Sequence, residues 1–219
     1  MRLESKRASI PTLYLELGDI TGELLAHPDL ATRWDEDSSL DGMTIGALAA
    51  HLVRAFTTTQ LYLQADPVPV EDDVDASSYF VGVFARTDED IAELNANIAQ
   101  RASDDAEPGA AVVIERHSDV VRDLKLALIG EPAERGIEVF EDMAMQLDDY
   151  LVTRMVEAVV HSEDLSHSLG IEMPEFPADV IDLVMAALLG VARERHGEVA
   201  VLRAFARAER SMGSPLPVF

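Results

Sequence analysis

The chain of 219 residues contains no cysteine. Disulfides, thiolate metal sites and a cysteine nucleophile are therefore excluded, and any thiol chemistry has to use a thiol supplied from outside. Basic residues are also scarce, 17 against 41 acidic ones for a formal charge of -24, and lysine occurs only at Lys6 and Lys125. The arginines are scattered singly, so the clustered basic surface that nucleic acids require is missing and no nucleic-acid partner is expected. Small ligands that are neutral or locally neutralised suit such a surface better. No apolar run reaches the roughly 18 residues of a membrane span, so no membrane partner is expected. Met1 to Arg7 is charged and leads straight into an amphipathic segment, and a cytoplasmic location is the expectation. No internal repeat or low-complexity tract breaks the chain.

What the sequence has is apolar content, 48% of its residues, arranged mostly at helical spacing. Ile10, Leu13, Tyr14, Leu17, Thr21, Leu24 and Leu25 recur on one face, which predicts a first helix over about 10–26, with Ser9 at its start and His27-Pro28 at its stop. A second is predicted from the cap residue Thr44, through Ile45, Leu48, Leu52, Phe56 and Leu63, to Asp66-Pro67. Residues 66–87 read as a loop whose acidic cluster, Glu71, Asp72, Asp73 and Asp75, lacks the glycine and closing glutamate of a calcium loop and reads as solvated. Helical patterns resume over about 88–103 and 109–128, and Gly130-Glu131-Pro132 breaks the latter. Alternation at Ile137 and Val139, then Met143, Met145 and Leu147, around Glu141-Asp142, predicts one short β-hairpin near 137–146. The longest helix is predicted over Asp148–Leu169, ended by Gly170 with Pro174 beyond. Two more follow, one on Val180, Leu183, Val184, Ala187, Leu188 and Val191, the other on Val199, Leu202 and Ala206. The fold class is all-α, and Pro174 to Pro177 is the best place for a junction between a bundle over 1–173 and a C-terminal helical appendage over 174–219. Apolar helix faces left exposed would pair two copies of the chain, so a homodimer is an expected state.

The chemistry concentrates in Met155-Val156-Glu157-Ala158-Val159-Val160-His161. Glu157 is surrounded by apolar neighbours, and a buried carboxylate costs several kcal/mol unless it is protonated, paired or bound to a cation. His161 stands four residues on, about 40° round the helix, so the two side chains converge. Such a pair supplies two metal ligands or is a simple hydrogen-bonded couple, and a metal would need a third ligand from elsewhere. The candidates are His27, His51, His117, His167 and His196. His27 and His196 sit at helix ends and read as capping or surface residues; His167 lies on another face, and His117 reads as a core histidine. His51, among Ala49, Ala50 and Leu52, has the best environment, since small neighbours let another helix approach.

Two runs resemble a known family. Met43-Thr44-Ile45-Gly46-Ala47-Leu48-Ala49-Ala50-His51-Leu52 resembles the second-helix motif of the mycothiol-dependent maleylpyruvate isomerase N-terminal domain family. Asp149-Tyr150-Leu151, Thr153-Arg154 and then Glu157-Ala158-Val159-Val160-His161-Ser162-Glu163-Asp164-Leu165 resemble its Glu-x-x-x-His-x-x-Asp-Leu helix. The resemblance implies a DinB-like four-helix bundle carrying one divalent metal, usually zinc, on His51, Glu157 and His161. Met43 stands where the family usually has tryptophan. The high arginine-to-lysine ratio and the alanine-rich, aspartate-rich composition suit a high-GC actinobacterium, the group that makes mycothiol.

Two imidazoles and one carboxylate leave at least one coordination position open, the pattern of a catalytic zinc site. The expected activity is that of a mycothiol transferase or isomerase, in which the metal activates an external thiol toward a small electrophile. The alternative is a non-catalytic bundle that the metal only stabilises. Asp164 is expected either to orient a ligand imidazole or to bridge to another helix, and Arg154 to pair with Asp164 or with a substrate carboxylate. Two histidines and a carboxylate also suit iron or nickel.

Overall fold

The structure is a computed structural model that describes residues 9–71, 74–84, 87–139 and 143–206. The hairpin turn at Glu141-Asp142, Asp72 and Asp73 of the acidic loop, Met1 to Arg7 and the tail from Arg207 lie outside the described residues. The elements run α1 (Ile10–Leu25), α2 (Pro28–Thr32), α3 (Ile45–Leu63), α4 (Ala76–Phe84), α5 (Asp88–Ala106), α6 (Ala110–Ala127), β1 (Gly136–Glu138), β2 (Ala144–Gln146), α7 (Leu147–Leu169), α8 (Ala178–His196) and α9 (Glu198–Ala206). The fold is all-α with one small antiparallel hairpin, in which Ile137 faces Met145.

Helices α1, α3, α6 and α7 close a four-membered ring, α1 and α3 each touching both α6 and α7. Their apolar stripes turn inward: Leu13, Tyr14, Leu17, Leu24 and Leu25 from α1, Leu48, Leu52 and Phe56 from α3, Val113 and Leu124 from α6, and Leu151, Met155 and Leu165 from α7 are all buried. The Tyr14 hydroxyl, early in α1, donates to Ala55 O at 2.8 Å and shares a second 2.8 Å hydrogen bond with the Thr59 hydroxyl late in α3, so these two helices are antiparallel. Tyr150, early in α7, donates to Thr58 Oγ1 at 3.0 Å, which makes α3 and α7 antiparallel as well and brings the middle of one beside the middle of the other. Outside the ring, α5 lies on α3, and α8 packs on α4 and α7.

Both ends of α3 are anchored. Thr44 Oγ1 accepts from Ala47 N at 3.1 Å, and the Trp34 indole lies so close over Gly46 that a Cβ there would overlap it. At the other end Arg135 donates to the carbonyls of Leu63 (3.2 Å) and Ala65 (2.6 Å), satisfying acceptors that a helix C-terminus leaves free. Gly170, at φ 69°, ends α7 in the left-handed conformation.

Several expectations need correction. Residues 66–87 are not all loop, because α4 forms within them. Its start is held by Asp75 Oδ1, which accepts from Ser78 N at 2.8 Å, and among its described side chains Ala76 and Phe80 are buried. Ser77 donates to Ala187 O of α8 at 3.2 Å. His27 does not close α1; its Nδ1 accepts from Asp29 N at 3.3 Å and caps α2. Ser9 makes no side-chain cap and bonds Thr12 Oγ1 instead. In α9 the buried residue is Val201, whereas Val199 and Leu202 are 58% and 66% exposed, so that helix packs on a different face from the one its spacing suggested.

His117 is a core histidine, as expected, 2% exposed and edge-on to the Phe56 ring. Its Nε2 bonds Gly18 O at 2.9 Å, and its Nδ1 is buried without a partner. Burial pushes its pKa down from the ordinary 6.5, against smaller opposing effects of the Gly18 hydrogen bond and Asp19. The unfolded chain therefore takes up this proton at higher pH than the folded one, so the stability that neutral His117 contributes is intact above about pH 6.5 and falls as the pH drops below it. Melting curves between pH 7.5 and 5.5 are expected to show a smaller acid-induced drop for His117→Gln than for the wild type. Equal drops would remove His117 from the account.

Candidate metal centre

The site forms where α3 and α7 lie side by side. On α3, Ala47, Leu48, Ala49, Ala50, Leu52 and Val53 are buried. His51 projects from it partly exposed. On α7, Met155, Val156, Ala158 and Val159 are buried, which fixes the rotation of the helix and turns Glu157 and His161 toward α3.

His51, Glu157 and His161 each offer a ligand atom, and the three atoms lie within 4.8 Å of one another. His161 Nε2 is 3.2 Å from Glu157 Oε2, and the His51 and His161 rings meet edge to face at 4.7 Å between centroids. The glutamate and His161 side chains are 26% and 17% exposed, so the cluster is neither sealed nor at the open surface. Asp164, one turn beyond His161, lies with Oδ2 2.9 Å from His161 Nδ1. Of the two roles expected of Asp164, the structure favours contact with the imidazole.

Arg154 does not reach Asp164. Ten residues along a helix are about 15 Å of rise, beyond a salt bridge. Its Nη2 lies instead 3.9 Å from Glu157 Oε1 and 3.5 Å from the hydroxyl of Tyr79, and its guanidinium stacks over Tyr150 and Tyr79, 5.2 and 5.8 Å from the ring centroids. Tyr79 is the residue that sequence reasoning missed, because it sits in α4, within the stretch read as loop. The remaining histidines stay away from the cluster: His27 caps α2, His117 is bonded to α1, and His167 and His196 are exposed in the last turns of their helices.

Burial by itself would raise the Glu157 pKa, but the hydrogen bond with His161 and the charge of Arg154 outweigh it and hold the carboxylate well below the usual range. For His161, burial works against the charged form, yet its hydrogen bonds to Asp164 and Glu157 raise the imidazole above its ordinary value. Burial, reinforced by that neighbouring charge, brings His51 down to about 4. An imidazolium between two carboxylates thus neutralises them here, and a divalent ion bound to the cluster would displace its Nε2 proton and take over that neutralisation. The residues fit such an ion. His51 is a neutral imidazole whose Nδ1 is buried with no hydrogen-bond partner, Asp164 engages the far nitrogen of His161, and two nitrogens with one carboxylate are a suitable ligand set for a first-row divalent metal.

None of the described helices is long and apolar enough to cross a membrane. Comparison with characterised proteins and with solved structures gives no match. The family model described as mycothiol maleylpyruvate isomerase N-terminal domain matches residues 14–166, a span that begins in α1, ends in α7 and includes His51, Glu157, His161 and Asp164. With most of the chain matched and the bundle and cluster in place, the chain belongs to the mycothiol maleylpyruvate isomerase N-terminal domain family.

Proposed function

We propose that this protein binds one divalent metal ion, zinc before iron or nickel, on His51, Glu157 and His161, and uses it to activate mycothiol for transfer to, or isomerisation of, a small electrophile. The observation that carries the reading is the half-buried convergence of two imidazoles and one carboxylate within 4.8 Å. A bound ion supplies Lewis acidity, lowering the pKa of a thiol in the coordination position that three protein ligands leave open. That replaces the nucleophilic cysteine this chain lacks.

The chain's own groups have distinct roles in this reading. Asp164, at 2.9 Å from Nδ1 of His161, accepts that proton, fixes the tautomer and turns Nε2 toward Glu157. Glu157 supplies negative charge, and His51 a neutral nitrogen from the opposite helix. Arg154 sets its charge 3.9 Å from the far oxygen of Glu157 and keeps the site from being purely anionic, which favours a ligand carrying negative charge such as a thiolate. We place the protein in the cytoplasm, where mycothiol is available, and treat residues 1–173 as the metal-binding bundle with 174–219 packed on it.

The test is zinc-loaded protein incubated with mycothiol and a panel of electrophiles, followed by mass spectrometry of the adducts. Thiol transfer or isomerisation above the uncatalysed rate, abolished in His161→Ala, is the expected result. Zinc binding that raises the melting temperature without turnover on any electrophile would transfer the site to the non-catalytic, metal-stabilised reading. Absence of zinc, iron and nickel binding would overturn the proposal altogether.

A further inference from the structure

A guanidinium buried next to a carboxylate that is offered to a cation calls for an explanation, because two positive charges would then share one glutamate. Arg154 is only 12% exposed. Its Nε donates to Thr153 Oγ1 at 3.1 Å, its Nη2 is 3.5 Å from the Tyr79 hydroxyl, and its Cζ lies over the rings of Tyr150 and Tyr79. Tyr150 is in turn held by Thr58 of α3. So constrained, the guanidinium has little freedom to leave.

The two oxygens of Glu157 face different partners. Oε2 is 3.2 Å from His161 Nε2, on the side of the histidines, and Oε1 is 3.9 Å from Arg154 Nη2. We propose that Arg154, caged by Tyr79 and Tyr150, is a positioning residue that keeps Oε1 for itself and so makes Glu157 a one-oxygen ligand. A carboxylate free to rotate can give a metal both oxygens; one whose second oxygen faces a fixed cation 3.9 Å away is drawn toward giving one. The gain is an additional coordination position for an exogenous ligand, and a metal less neutralised by its glutamate and therefore a stronger Lewis acid. Through Tyr79, α4 thereby takes part in the site although it contributes no ligand. This inference rests on the metal-binding reading above.

Cobalt(II) in the full-length protein reads the coordination number directly, since four-coordinate cobalt absorbs visible light strongly and five- or six-coordinate cobalt weakly. The wild type is expected to show the strong spectrum. Arg154→Met frees Oε1 to join the metal and is expected to lose most of that visible absorbance at equal cobalt occupancy. Tyr79→Phe removes the hydroxyl contact alone and is expected to fall between the two. Circular dichroism establishes that each variant is folded. Identical spectra for the wild type and Arg154→Met, both binding one cobalt, would overturn the inference and leave the metal site standing. Should Arg154→Met fail to fold, Tyr79→Phe decides, and an unchanged spectrum there overturns it. Failure of the wild type to bind cobalt or zinc at all would overturn the metal reading itself, a result distinct from either of these.

Discussion

His51→Ala is expected to lower affinity for zinc by more than about 100-fold while leaving the bundle folded. Removing a group that only supports a ligand costs about 10- to 100-fold in metal affinity, and removing one of three ligands exceeds that. The fold should tolerate the change, because His51 is not part of the buried core of α3 and its buried Nδ1 has no hydrogen bond to lose. Alanine is also the residue already present at its two preceding positions, 49 and 50, and favours the helix. Metal-free melting temperatures should therefore be close, whereas the rise on adding zinc, which scales with the logarithm of zinc concentration over the dissociation constant, should be largely lost in the variant. Asp164→Asn is expected to cost less, within the 10- to 100-fold range, since it touches the site through His161 alone. Competition against a chromophoric chelator at pH 7.5 measures both. Zinc affinity of His51→Ala within about threefold of the wild type would show that α3 contributes no ligand, and the ranking of the two variants distinguishes a ligand from its support.

The four helices of the ring and the Glu157–His161 pair of the cluster were legible because each depends on a local period. Apolar residues at 3.6 spacing define α1, α3, α6 and α7 without reference to a partner, and Glu157 and His161 share a face by helix geometry alone. His51 was a matter of environment: a polar side chain among alanines marks a place where another helix comes near. What was not legible depends on tertiary contacts. α4 is nine residues long, too short to stand by propensity, and it forms where Phe80 finds the core and Ser77 finds a carbonyl of α8. The Tyr79 contact with Arg154 was hidden with it. His27 at a helix end reads the same whether it closes the preceding helix or opens the next, and only the bond from Asp29 N decides. For α9, an apolar residue on every face leaves the packed side to be chosen by α8, and the choice fell on Val201.

Phe56→Ala is expected to be the costliest single truncation of the bundle that spares the metal centre. The ring is 1% exposed and lies where three helices meet, stacked on Tyr14 of α1 at 5.3 Å, edge-on to His117 of α6 at 4.9 Å, and close enough to α1 that a Cβ on Gly18 would come within 3.2 Å of it. Its neighbours cannot collapse into the space it leaves. Tyr14 is fixed by two hydrogen bonds to α3, and His117 by its bond to Gly18 O. A cavity that does not close puts the cost at about 3–5 kcal/mol, the range for buried phenylalanine to alanine, or a fall of roughly 10 °C in melting temperature for a chain of this length. Phe56 is five residues beyond His51, about 140° round α3, and faces α1 and α6 while His51 faces α7. The variant at a temperature where it is folded should consequently bind zinc as the wild type does. Phe56→Leu, which keeps most of the volume, should lose less than about half as much stability. A Phe56→Ala protein as stable as the wild type would mean that the α1–α3–α6 junction is not packed as described. One that keeps its stability loss and also loses zinc would mean that the two faces of α3 are coupled, and that the ring of helices, rather than α3 and α7 alone, holds the cluster together.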